Sequence, residues 1–68
     1  MTNTEMLIEL IERSGLKKSY IADKVGFSRT TFSKKIKNIV PFNQYEIERL
    51  CEILKISDLK TKEAVFFA

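Results

Sequence analysis

The sequence predicts an all-α fold, a bundle of four to five short helices forming a single domain over residues 1–68. Three observations carry that expectation. Inward-facing positions recur at helical spacing, beginning with Leu7, Leu10, Ile11 and then Ser14. Gly15, Gly26 and Pro41 punctuate the pattern where helices have to stop. Finally, 44% of the 68 residues are hydrophobic, with one cysteine and no histidine. A packed core must therefore hold the chain without a disulfide framework or a Cys/His zinc site.

Taken in order, Thr4 is placed to cap the first helix, and Gly15 supplies its left-handed stop. Met6 and Ile8 widen the apolar face, while Glu9 and Arg13 form a surface pair four residues apart. A second helix is expected from about Lys18 to Val25, with Ile21, Ala22 and Val25 inward and Gly26 ending it. Phe27 is expected as a buried anchor. Ser28 then caps a third helix over about Arg29 to Lys37. Phe32 and Ile36 point inward there, leaving Arg29, Thr30, Ser33, Lys34 and Lys37 outside.

The fourth helix has the most explicit start. Asn43 and Glu46 have capping-box spacing, and Phe42 and Ile47 occupy the two positions of a hydrophobic staple. Pro41 cannot continue the preceding helix. Ile47, Leu50, Cys51 and Leu54 form the inner stripe, with Cys51 read as a small buried hydrophobe. Ser57 or Asp58 is expected to cap a last short turn containing Leu59. The pattern of Ala64-Val65-Phe66-Phe67 does not decide a secondary structure.

Charge is divided unevenly along the chain. Residues 17–37 carry seven basic side chains against Asp23 alone, a net +6. The other 47 residues hold five basic and eight acidic groups, a net −3. The +3 total is thus a basic middle third on an acidic body. Lys17 and Lys18 open the second helix and Arg29 opens the third, facing the positive end of each macrodipole. Each such cation is misplaced by roughly 0.3–1 kcal/mol for folding alone. The placement becomes favourable where both helix ends meet phosphates.

A short helix with an internal alanine, a glycine turn, a capping serine and a basic helix form a helix-turn-helix pattern. Leu16, Ile21-Ala22, the run from Val25 to Lys34, Phe42 and the helix from Asn43 to Leu54 resemble the phage-repressor and Cro-like, or Xre, family. The resemblance covers roughly residues 4–59. It implies a lambda-repressor-like bundle that binds operator DNA as a transcriptional regulator. Lys35 stands where many members place the second core residue of the third helix, and Ile36 follows one position later. That is expected to rotate the helix in its seat. The usual Asn-Gly stop after it is here Asn38-Ile39.

Site roles follow from the matching positions. Ser28, Arg29, Thr30 and Lys34 are expected at base edges, Arg29 being the candidate for bidentate contact with guanine. Lys17, Lys18, Ser33, Lys37, Asn43 and the amide of Gln44 are expected on backbone phosphates. The partners implied are double-stranded DNA and a second copy of the chain, in a dimer that is either weak or assisted by DNA. No cofactor is called for.

Other readings weigh against some of these residues. Lys24 and Lys35 read as a solvated face, Thr31 as part of the first turn capped by Ser28, and Tyr20 and Tyr45 either as packing at helix edges or as hydrogen-bonding partners of DNA. The apolar tail either folds over the bundle or is exposed and self-associates. The competing function is a protein-interaction module, antitoxin-like or anti-repressor, that uses this tail. Deleting residues 64–68 is expected to spare DNA binding unless the tail forms the dimer. Nothing supports an enzyme: no histidine, no nucleophile with its base and no metal-ligand spacing. With neither a signal-peptide pattern nor an apolar run of about 20 residues, the expected location is cytoplasmic.

Overall fold

A computed structural model of residues 1–68 is all-helical, with α1 (Thr4–Ser14), α2 (Lys18–Val25), α3 (Arg29–Ile36), α4 (Gln44–Ile53) and α5 (Leu59–Phe66). The expected all-α bundle is what forms, with α2 and α3 joined by Gly26-Phe27-Ser28. None of the helices is long and apolar enough to cross a membrane. Eleven buried apolar side chains make one core, contributed by every helix: Leu7 and Ile11; Ile21, Ala22 and Val25; Phe32 and Ile36; Ile47 and Leu50; Val65 and Phe66. Met6, Ile8, Leu10, Cys51 and Leu54 pack around it half-buried. Ser14 is exposed, its hydroxyl donating to the Ile11 carbonyl.

Phenylalanines tie the layers together. Phe27 and Phe32 stack with ring centroids 5.6 Å apart, and Phe42 meets Phe32 at 6.4 Å and Phe66 edge-on at 5.7 Å. Each such pair adds about 0.5–1.5 kcal/mol beyond area burial. Phe27 itself is half-buried rather than a fully buried anchor, and its ring is partly covered by the Lys35 ammonium at 4.9 Å.

Helix ends account for most differences from the sequence expectation. Asn3 caps α1, its side chain accepting from the Met6 amide, while Thr4 is the first helical residue. The Thr4 hydroxyl donates instead to the Ile36 carbonyl at 2.6 Å, satisfying an orphan acceptor at the end of α3. The chain beyond α3 turns through a Schellman motif: Ile39 N–H donates to the Lys34 carbonyl and Asn38 N–H to that of Lys35. Asn38 takes the left-handed conformation at φ 64°, where the family pattern has its glycine one residue later. Its side chain then pairs with Thr2, accepting from the amide at 2.8 Å and donating to the carbonyl at 2.7 Å. Lys37 caps α3 rather than lying within it.

Two further expectations are sharpened by the C-terminal half. The capping box of Asn43 and Glu46 forms in both directions. Asp58, not Ser57, caps a full helix α5 that absorbs most of the tail. Val65 and Phe66 are buried while Phe67 is 53% exposed, so the tail both folds back and leaves one ring outside. Deleting residues 64–68 would remove core, and that truncation no longer separates the two functions.

Candidate functional site

The N-termini of α2 and α3 differ from the other three. α1, α4 and α5 are capped by Asn3, Asn43 and Asp58, and Glu5 and Glu46 add acidic side chains to the first turns of α1 and α4. At α2 the cap residue is Lys17, whose side chain makes no capping bond, and the first turn has no acid. At α3 the Ser28 hydroxyl accepts from the Thr31 amide at 3.1 Å, again with no acid in the first turn. Both helix ends therefore keep their positive potential unneutralised.

Between these ends and α1 lies an open groove of about 720 Å³. Lys18, Arg29, Thr30, Ser33, Lys34 and Lys37 line it, with Thr4, Ile8, Phe32, Ile36 and Ile39 supplying the rest of the wall. Four cations line it and no carboxylate does. The ion pairs of the protein lie elsewhere, at Arg13–Glu9, Lys35–Glu46 and Arg49–Glu52. Lys18, Arg29, Lys34 and Lys37 thus present unpaired charge to one exposed surface.

Six of the ten residues expected at a site meet in this groove, and four do not. Lys17 is exposed beside it. Ser28 is occupied as a cap, its hydroxyl also donating to the Thr31 hydroxyl at 2.9 Å. Asn43 spends its side-chain oxygen on Glu46 N–H, and the Gln44 amide nitrogen leans toward Glu48 at 3.4 Å. The backbone N–H of Gln44, the group expected on a phosphate, donates to no other backbone group. Thr31 is half-buried and Lys24 exposed, as their bland readings have them.

Lys35 corrects the sequence reading. It is buried, not solvated, and its ammonium bonds both carboxylate oxygens of Glu46 at 2.6 and 2.7 Å. Glu46 also accepts from the Asn43 amide at 2.9 Å. One carboxylate therefore joins the inner side of α3 to the first turn of α4. Ile36 remains in the core beside Lys35, so both positions are buried and α3 is seated by two adjacent residues. Arg49 adds a second link, donating to the Lys24 carbonyl near the end of α2 at 3.1 Å. The sequence offers one signal for the first link, a lysine at an inward position and a glutamate at a capping-box position. The groove residues Thr4, Ile8 and Ile39 had no such signal.

Cys51 is half-buried against the core, and desolvation pushes its thiol pKa up, which favours the protonated thiol. Comparison with family models, with curated proteins and with solved structures finds no match to this chain. The functional reading therefore stands on the geometry of the groove.

Proposed function

We propose that this chain binds double-stranded DNA with sequence preference and acts as a transcriptional regulator of the repressor or Cro-like kind. On this reading α2 and α3 are the helix-turn-helix, and α3 enters the major groove. The observation that carries it is the acid-free groove, where Lys18, Arg29, Lys34 and Lys37 gather beside two helix N-termini without acids. Helix α3 is a regular eight-residue α-helix, and the roughly 10–12 Å diameter of such a helix with its side chains fits the roughly 12 Å width of a major groove. Arg29 and Thr30 lead its first turn, where base-edge contacts of such helices concentrate.

The roles divide by position. Arg29, Thr30 and Lys34 read bases, while Lys17, Lys18, Ser33 and Lys37 hold phosphates. Asn43 and the free N–H of Gln44 hold a further phosphate at the start of α4. Ser28 acts first as the cap that orients Arg29. Two copies on paired half-sites about 34 Å apart supply the contact area that one small module lacks.

Fluorescence anisotropy on duplexes of different sequence tests these roles. Lys18→Ala should weaken every duplex alike and reduce the salt slope of log K by about 0.9. Arg29→Ala should cost about 1–3 kcal/mol on the preferred sequence and relax the preference at one base pair. Wild-type binding by both variants overturns the assignment.

A further inference from the structure

Helix α4 reaches both helices of the α2–α3 pair through two side chains about one turn apart, Glu46 and Arg49. Glu46 takes the Lys35 ammonium on both oxygens, at 2.6 and 2.7 Å, and Lys35 stands in the last turn of α3. Arg49 donates to the Lys24 carbonyl at 3.1 Å, in the last turn of α2. No backbone N–H donates to that carbonyl, so a guanidinium from another helix satisfies it. The Lys35 ammonium also lies 4.9 Å from the ring of Phe27, in the turn that joins the two helices. The end of α2, the turn and the end of α3 are thus all tied to one stretch of α4.

Both reaching side chains are themselves oriented on α4. The Glu46 carboxylate accepts from the Asn43 amide at 2.9 Å as half of the capping box. Arg49 donates through its other terminal nitrogen to Glu52 at 3.3 Å. A side chain oriented in this way has less freedom left to lose when it reaches across. Apolar burial between the helices is non-directional. Charge-assisted hydrogen bonds add the direction that burial lacks.

None of Lys24, Lys35, Glu46 and Arg49 lines the basic groove. Their effect on binding therefore passes through the helices they hold. We infer that Glu46 and Arg49 are positioning residues that set the angle between α2 and α3, and with it sequence preference rather than attraction to DNA. The inference rests on the DNA reading above, in which Lys17 and Lys18 of the α2 end hold phosphates and Arg29 and Thr30 of α3 read bases. Attraction to phosphate comes from charge, is independent of sequence and tolerates a tilt of one helix. Hydrogen bonds to base edges weaken steeply outside a narrow range of distance and angle. A loosened angle therefore costs preference first.

Fluorescence anisotropy on two duplexes of equal length tests the inference, one recovered by selection from a random pool and one of random sequence. The readout is the ratio of the two affinities. An unfolded fraction lowers both by the same factor and leaves that ratio unchanged. Arg49→Met keeps the aliphatic stem and, at a side chain 33% exposed, should stay folded. Its ratio should fall about tenfold, within the worth of one bidentate base contact. Its affinity for the random duplex should fall no further than that of Arg13→Met, which loses the same charge from α1. Glu46→Gln should lower the ratio as well, and Arg49→Lys, which keeps a donor and the charge, should retain most of it. An unchanged ratio in either Arg49→Met or Glu46→Gln overturns the inference, including the case in which both duplexes weaken alike. A wild-type ratio of one overturns the DNA reading itself, so the two failures are told apart by the wild type alone.

Discussion

The ammonium of Lys35 sits between both carboxylate oxygens of Glu46, at 2.6 and 2.7 Å, with 11% and 13% of the two side chains exposed. Eleven residues separate them in sequence, yet they lock the proposed reading helix α3 to the start of α4. Removing one partner of so desolvated a pair leaves a buried charge without its counter-ion. Lys35→Ala should therefore cost about 3 kcal/mol in urea unfolding. Glu46→Gln, which keeps a capping-box side chain, isolates the charge. A double-mutant cycle should return about 1–3 kcal/mol of coupling. The whole domain has only about 3–10 kcal/mol in hand, so the single variants should show partial unfolding.

Asn38 and Lys55 are the two non-glycine residues with positive φ, at 64° and 58°, and both close Schellman turns. Glycine would suit each backbone. Lys55 is exposed, so Lys55→Gly should stabilise by up to about 1 kcal/mol. Asn38→Gly should destabilise instead, because it gives up the two bonds to Thr2. Opposite signs in thermal unfolding are the expected result; stabilisation by both would mean that the Thr2 bonds contribute nothing.

Phe66 and Phe67 are adjacent but differently placed, at 3% and 53% exposed. Phe66→Ala should cost about 3–5 kcal/mol, enough to unfold much of the protein. Phe67→Ala should change stability by less than about 0.5 kcal/mol. Circular dichroism melts of the two variants separate these outcomes.

The Asp58 carboxylate accepts from the Thr61 hydroxyl and amide, and these bonds hold its pKa below the ordinary 3.8. A carboxyl depressed in the folded state stabilises most above its unfolded pKa. That contribution is lost as pH falls through the folded value. Asp58→Asn retains a capping side chain that does not titrate. The stability difference between wild type and Asp58→Asn should be constant near neutral pH and shrink below about pH 4. A difference that grew with acidity would contradict the capping assignment.

Much of the architecture was legible because its determinants are local. Gly26 after Val25, the Asn43–Glu46 box and Pro41 each act within one turn of chain, and each stands where the pattern put it. What the pattern missed was decided by partners far away in sequence. Asn3 and Thr4 are both fit to cap α1, and the choice falls to Asn3 because Thr4 is drawn to Ile36, 32 residues on. Lys35 read as surface although it stands at an inward position, because the carboxylate that covers it, Glu46, is supplied from the next helix. The cations of the groove were visible from charge alone, since an unpaired basic residue needs no tertiary contact to be exposed. Ile8, Thr4 and Ile39 reach the groove only through the packing of α1 and the turn after α3.

The central claim is that the groove of Lys18, Arg29, Lys34 and Lys37 reads DNA sequence. Selection of bound duplexes from a random pool at physiological salt tests it most directly, because nonspecific attraction to phosphate is weak there. The expected result is strong enrichment of one short motif, lost with Arg29→Ala. An unenriched pool recovered with folded wild-type protein would contradict it.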